Sequence, residues 1–437
     1  MKTVIMAGGK GSRIAELFPE IPKPLIPLTG PEGETRPVLE WEIMSLRDQG
    51  FTDIILTVGY KAEQIRAYFG DGSRIGANIT YYVEDSPLGN AGALFKLGLT
   101  EDFLLLNADT VFEIDFNRFT DFHFSKGGLA TLLTHPNNHP YDSGLIIAGE
   151  DGSADRWLTK EEPRPAYYRN RVNAGLHVIH PKALAKSGID AARIGTEGPD
   201  GKTIKADLDR QILKPLCGTG QMFCYDSPEY VRDMGTPERF RAVAEDFRTG
   251  KVQAKSRKHK QKAIFLDRDG TINRYVGFLR RAEEMELLPG AAEAIRQINR
   301  SGYLAIVITN QPVIARGETT EAELREIHNK METLLGNEGA YIDGLYYCPH
   351  HPDSGFEGEI RELKIPCECR KPKPGMLRRA AEDFNIDLGA SWMIGDGKND
   401  ILAGKAAGCR TILTGEGDYG QDETAGSLQE AAGIILQ

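Results

Sequence analysis

The 437-residue sequence contains no apolar run approaching the length needed to cross a bilayer, so no membrane-spanning helix is expected. Its opening, MKTVIMAGGKGSR, lacks the long apolar core and small-residue cleavage site of a secretory signal, because glycines and charges interrupt it at once. A cytoplasmic location with no membrane partner is the expectation. Positive charge is in deficit: 53 Lys and Arg against 63 Asp and Glu give a net charge of -10. That balance argues against broad nucleic-acid binding while allowing local basic pockets for phosphorylated metabolites. Cysteine is sparse, six in all with three clustered, a distribution that suits metal ligation better than a disulfide framework. No internal repeat is present, and neither the Walker spacing nor GxGxxG occurs in the first glycine-rich stretch.

What is there is an ordinary soluble composition, 40% hydrophobic and 27% charged, in a chain too long for one core. Two domains are expected, 1–247 and 263–437, joined by a basic linker at 248–262 whose KVQAKSRKHKQK has no apolar periodicity. Each half opens with a short apolar run that breaks into glycine and polar residues, TVIMAG and AIFLDRDG, and β-rich runs such as DIILTVG, DFLLLN, LAIVITN and SWMIGD alternate with helical patterns. Both halves therefore read as α/β with mainly parallel sheets and ligands at the carboxyl ends of strands.

In the first half, Gly8, Gly9 and Gly11 are expected between a strand and a helix, where bare backbone amides can approach a phosphate. Arg13 adds a charge beside them, and Lys23 is braced between Pro22 and Pro24. Alone, these residues would also fit a glycine turn with surface cations. Together with SPLGNAGAL, LLLNAD, VNAGLHV and RDMGTPERF, however, they resemble the sugar-1-phosphate nucleotidylyltransferases over nearly all of residues 1–245. The resemblance implies a Rossmann-like domain with a mixed, mainly parallel sheet. It also implies that Gly8, Gly9, Gly11 and Arg13 hold base and phosphates, that Lys23 meets phosphate oxygens, and that Gly89 lies near the base. Asn173 and Gly175 would line the sugar side, and Asp109 and Asp233 would hold Mg²⁺ over the α-phosphate. Attack of one anion on another requires such neutralisation and alignment. Asn90 departs from the usual threonine, and KEEP (160–163) matches the usual EKP only loosely.

The second half begins with FLDRDGTIN, which places Asp267 and Asp269 two apart at a strand end, one suited to attack and the other to acid or base work. A calcium loop would need a glutamate where the chain has Phe278. With ITNQ, RKPKPG and GDGKND, the pattern resembles the haloacid dehalogenase phosphatases, which implies a second Rossmann-like domain. The resemblance assigns nucleophilic attack to Asp267 and proton donation to Asp269. It sets Thr309 and Lys371 on the phosphoryl oxygens, places Asn310 on the substrate phosphate, and assigns Mg²⁺ to Asp267, Asp269 and Asp396, with Asp400 supporting them. Arg316 and Arg370 are candidates for a distal phosphate. Cys348, His350, Cys367 and Cys369 offer four ligands for one structural Zn²⁺ in a loop just before Lys371, with His351 the weaker alternative. Cys217, Cys224 and Cys409 read as ordinary buried thiols.

Among zinc-bearing phosphatases of this group, the sequence is more similar to the heptose bisphosphate enzyme than to the histidinol-phosphate one, although Pro312-Val313 replaces its usual Ser-Gly. The two resemblances join into a bifunctional enzyme. It would remove the 7-phosphate of D-glycero-D-manno-heptose 1,7-bisphosphate and couple the resulting heptose 1-phosphate to an NTP, with GTP and the α-anomer expected, for surface glycan synthesis. A homo-oligomer is left open. The rival is a histidinol-phosphate or other sugar phosphatase carrying a catalytically inactive, nucleotide-sensing domain.

Overall fold

The computed structural model describes residues 1–355 and 357–437. They form two compact units: the first comprises Met1–Thr134, Ile146–Trp157 and Asn173–Gln253, the second His135–Leu145, Leu158–Val172 and Ala254–Gln437. Among the described residues, no helix is long and apolar enough to cross a membrane.

The first unit is built on a mixed sheet in which Asn78–Val83, Asp53–Val58, Lys2–Ala7 and Phe103–Asn107 lie side by side and parallel, followed by antiparallel Val172–Ile179. Successive strand residues face opposite sides, so Ile5, Leu104 and Leu106 enter one apolar cluster while Val4, Phe103 and Leu105 enter another. A sheet covered on both faces explains why these runs are continuously apolar rather than alternating. The expected helix after Gly11 does not form. Residues 12–17 make overlapping turns, with the amides of Ile14 and Ala15 both on the Gly11 carbonyl, and the prolines at 19, 22 and 24 prevent extension into a regular helix.

The second unit has a parallel six-stranded sheet in the order Gly344–Cys348, Tyr303–Asn310, Lys262–Leu266, Trp392–Gly395, Arg410–Leu413, Glu423–Thr424. Here too the faces alternate: Ile264, Leu266, Ala305 and Val307 pack on one side, and Ala263, Phe265, Leu304 and Ile306 on the other. Within the segment 248–262, read from the sequence as a basic linker, Lys251–Ala254 form a helical turn. The charges of the segment mislead, because Lys255, Ser256, Arg257 and Gln261 are buried, and Asn385 donates to the carbonyls of Arg257 (2.8 Å) and His259 (3.0 Å). Arg257 also lies 5.0 Å from the Phe384 ring centroid, so its stem and guanidinium are used in packing. The units divide inside that segment, between Gln253 and Ala254.

Candidate active sites

In the first unit a cavity of about 350 Å³ opens at the carboxyl ends of the parallel strands, a volume suited to a small ligand. Gly8, Gly9, Lys23 and Asp109 form part of its lining, with Glu84, Gly89, Asn90, Asn107 and Lys205. Lys23 donates to Asp109 at 2.6 Å. Antiparallel pairing sets Asp233 opposite Thr110, and the Met234 amide donates to the Asp109 carbonyl, so the two aspartates predicted from separate motifs are drawn together by one short ladder. Arg13 joins them: a Cβ placed on Gly235 would lie 3.1 Å from Asp233, 3.3 Å from Arg13 and 3.8 Å from Lys23. Asp233 itself accepts from Arg239 at 2.9 Å through each oxygen. Each carboxylate thus has a cation partner, and a magnesium ion held by this pair would displace or share those partners.

Gly89 and Gly11 are required by geometry. Gly89 has φ +86°, and a Cβ there would stand 2.3 Å from the Ala206 carbonyl oxygen; Gly11 has φ +63°, and a Cβ would stand 2.6 Å from the Lys23 stem. Asn90 accepts from the Leu208 amide at 2.8 Å, so its carbonyl oxygen holds a neighbouring loop. Asn173 and Gly175 are not among the residues lining the cavity; they adjoin it through Asn107, whose amide approaches the Gly175 carbonyl at 3.4 Å. The Asn173 oxygen accepts from Gly175 N and makes a 3.1 Å hydrogen bond with His177 Nε2. Burial pushes the His177 pKa down to about 3, so the ring is neutral and donates there.

In the second unit, Asp267, Thr309, Asn310 and Asp396 stand at or just beyond the carboxyl ends of three adjacent strands. Lys371 reaches between them, 2.8 Å from Asp267 and 2.6 Å from Asp400, and also donates to the Ile308 carbonyl at 2.9 Å. Burial pushes the Asp267 pKa up and the negative charge of Asp400 adds to that, while the Lys371 ammonium in contact with it favours the carboxylate. The carboxylates that converge are Asp267, Asp396 and Asp400, with oxygens within 4.8 Å of one another. The side chain of Asp269 is not in this group, contrary to its expected place as a metal ligand. It is held instead by Arg268 at 2.8 Å, Asn273 at 3.0 Å and Gln311 at 2.9 Å. Burial alone would raise its pKa, but the Arg268 charge and these hydrogen bonds outweigh it and hold the carboxyl below its ordinary range. Gly270, at φ +84°, lets Asp396 close on the loop, since a Cβ there would meet its oxygen at 2.1 Å.

Asn310 also differs from expectation. Its amide donates to the Lys371 carbonyl and its oxygen accepts from the Lys371 amide, both at 3.0 Å, so it fixes Lys371 rather than being aimed wholly at a phosphate. Arg370 donates to the His350 carbonyl at 3.2 Å, and Arg316 lies over the Phe278 ring, 4.1 Å from its centroid. Arg268 and Gln311 escaped the sequence reading. Arg268 is fully buried and contacts His328 Nε2 at 3.1 Å, while Gln311 bridges Asp269 and Thr309.

Cys348, His350, Cys367 and Cys369 come together with S···S separations of 3.2 to 3.5 Å and S···Nδ1 separations of 3.3 and 3.6 Å. Zn–S bonds of about 2.3 Å give tetrahedral edges of about 3.8 Å, so this donor set fits zinc with a small outward adjustment. His351 is not in the converging set; its Nδ1 accepts from the Asp353 amide at 3.1 Å.

The Nucleotidyl transferase family profile matches residues 2–249, and a HAD-hydrolase-like profile matches 368–435. D-glycero-β-D-manno-heptose-1,7-bisphosphate 7-phosphatase of Salmonella typhi is 42% identical over 166 residues, 37% of this chain and 86% of that one. Its counterpart in Haemophilus ducreyi (strain 35000HP / ATCC 700724) is 38% identical over 177 residues, covering 38% and 94%. The solved D,D-heptose 1.7-bisphosphate phosphatase of B. bronchiseptica, complexed with magnesium and phosphate, is 33% identical, covering 40% of this chain and 99% of its own, with a TM-score of 0.36. With separate carboxylate-and-lysine sites in its two units, the chain is a bifunctional enzyme that belongs both to the nucleotidyl transferase family and to the heptose-1,7-bisphosphate 7-phosphatase family.

Proposed function

We propose that the protein converts D-glycero-D-manno-heptose 1,7-bisphosphate to an NDP-heptose in two steps, removing the 7-phosphate in the second unit and joining the 1-phosphate to a nucleotide in the first. The observation that carries this reading is the pairing of complete sites on one chain: Asp267, Lys371 and Asp396 in one unit, and Arg13, Lys23, Asp109 and Asp233 in the other. The first reaction leaves the sugar 1-phosphate that the second consumes.

In the phosphatase site an Asp267 oxygen attacks the C7 phosphorus while Lys371 holds the phosphoryl charge. Asp269 is kept ionised by Arg268, so it must first take a proton before it can give one to the leaving sugar oxygen, and it then serves as base toward water in the second half-reaction. Thr309 stands beside it through Gln311. In the transferase site Lys23 and Arg13 neutralise the phosphates, and the amides of Gly8 and Gly9 approach them without side-chain hindrance. Mg²⁺, held by Asp267 and Asp396 in one site and by Asp109 and Asp233 in the other, would screen phosphate charge when bound. Zinc on Cys348, His350, Cys367 and Cys369 would be structural, tying the loop that ends at Lys371.

GTP is the proposed nucleotide. Glu84 lines the cavity with one oxygen on the Leu88 amide, and a carboxylate accepts hydrogen bonds from the N1–H and 2-amino group of guanine, whereas adenine presents an acceptor at N1. The names of the phosphatase relatives specify the β-anomer, opposite to the α-anomer expected from the nucleotidyltransferase resemblance. Dephosphorylation at C7 leaves C1 untouched, so both units must accept the same anomer; α is proposed here on the nucleotidyltransferase resemblance. The test is to supply each anomer of the bisphosphate with each of the four NTPs and identify products by mass spectrometry. GDP-heptose from the α-anomer is expected. Exclusive use of β overturns the anomer, another base overturns GTP, and orthophosphate release without any nucleotide sugar overturns the bifunctional pathway.

A further inference from the structure

Lys205 lines the nucleotide cavity, lies outside every motif that identified the site, and is exposed. Among the described residues no carboxylate pairs with it, in contrast to Lys23, which is already held by Asp109. Its backbone position is nevertheless defined. The next residue, Ala206, donates to the Leu88 carbonyl at 3.0 Å and accepts from the Ala91 amide at 3.2 Å, and Asn90 clasps the same loop through the Leu208 amide. Leu88 in turn donates its amide to Glu84 at 3.1 Å. A continuous chain of hydrogen bonds thus ties the segment carrying Lys205 to the wall that carries Glu84, whereas Arg13, Lys23 and Asp233 gather around Gly235 and Asp109 is held by Lys23. Pro87, Ala91 and Leu94 give the Glu84 part of the cavity apolar surface suited to a flat ring.

From this arrangement we infer that Lys205 is a specificity-determining residue that donates to O6 of guanine. This rests on the reading of the first unit as a GTP-using transferase and adds a second half to base recognition. Glu84 accepts from N1–H and the 2-amino group; Lys205 donates to the carbonyl beside them. Adenine mismatches both, because its N1 accepts and its 6-amino group donates. A salt bridge between the two side chains would close the space for the base, and none joins them among the described residues. The clasp also makes Gly89 part of the recognition wall, since its missing side chain is what admits the Ala206 backbone.

The experiment compares wild type, Lys205→Met and Lys205→Arg in equilibrium binding and in kcat/KM with GTP, ITP, 6-thio-GTP and ATP. ITP lacks only the 2-amino group, and 6-thio-GTP replaces O6 by a weaker acceptor. Loss of a hydrogen bond from a charged donor corresponds to about tenfold to a hundredfold. Lys205→Met is expected to weaken GTP and ITP by that amount, bring GTP and 6-thio-GTP to near equality, preserve the GTP-to-ITP ratio, and leave the KM for the sugar 1-phosphate unchanged. Lys205→Arg is expected to restore part of the loss. An equal fall with all four nucleotides would identify a phosphate contact and overturn the inference. So would a rise confined to the sugar phosphate KM, or no change at all. The binding measurement separates the two readings: a wild type that selects GTP but transfers nothing contradicts the transferase activity alone, while one that transfers but binds ATP as well as GTP overturns guanine reading alone.

Discussion

At the residue scale, the sites depend on where side chains are absent as well as present. Gly89→Ala would place a methyl group 2.3 Å from the Ala206 oxygen in a positive-φ conformation, and separation of the clasp is expected to raise the KM for GTP by about tenfold or more. Steady-state kinetics check this, and phosphate release from the bisphosphate is expected to stay unchanged. His177 gives a pH prediction with a definite sign. Its folded pKa is about 3, far below the 6.5 of an ordinary histidine, so the unfolded chain takes up a proton that the folded chain refuses. The contribution is full above about pH 6.5 and falls by about 1.4 kcal/mol per pH unit as pH drops toward 3. Denaturant titrations at several pH values, compared with His177→Gln, should show that slope reduced in the variant. Arg268 illustrates a different point: a residue between two catalytic aspartates reads as filler in the sequence, yet its fully buried guanidinium holds Asp269 and contacts His328.

At the scale of elements, strand termini do most of the placing. Parallel pairing of Lys262–Leu266 with Tyr303–Asn310 and Trp392–Gly395 brings together motifs well over a hundred residues apart at their extremes. Among the described residues between Cys348 and Lys371 no strand follows Cys348, and Cys348, His350, Cys367 and Cys369, brought together there, would constrain the loop on binding zinc. Metal analysis is expected to find about one zinc per chain. Cys367→Ser should lower both zinc content and the melting temperature of the phosphatase unit, because one thiolate ligand is lost while the apolar contacts remain. Stoichiometric zinc retained by that variant would refute this ligand set. The element that departed from its pattern, the turn at 12–17, does so for a local reason: prolines follow too closely for the hydrogen-bonded register to extend.

At the scale of the whole molecule, two groups of site residues lie in two units, and their activities are expected to separate by mutation. Asp267→Asn should abolish phosphate release while transfer from supplied heptose 1-phosphate stays near wild type; Asp109→Ala should stop pyrophosphate release alone. Loss of both activities in either folded variant would contradict two independent sites. The second unit, however, is not one continuous stretch of sequence. It includes Leu158–Val172, where Arg171 meets Glu332 at 3.3 Å with both side chains buried, the Asn170 amide donates to the same carboxylate, and Tyr168 exchanges hydrogen bonds with Thr333. Removing the carboxylate by Glu332→Ala is expected to cost about 3 to 5 kcal/mol of that unit's stability, measured by denaturant melting followed through phosphatase activity. A fragment of 254–437 is expected to be less stable than the same unit in the full chain. The two α/β halves were legible in the sequence, which also singled out Arg13, Lys23, Asp109, Asp267, Lys371, Asp396 and the Cys/His cluster as candidates, because each lies in a motif whose local chemistry can be read without its distant neighbours; the order of strands within each sheet was not legible there. Only the tertiary structure decided the burial of the basic stretch, the inclusion of 158–172 in the second unit, the diversion of Asp269 and Asn310 to protein partners, and the places of Glu84 and Lys205. The physical reason is that these depend on packing, charge pairing and hydrogen bonds between segments distant along the chain, and such partners cannot be identified from local periodicity or composition alone.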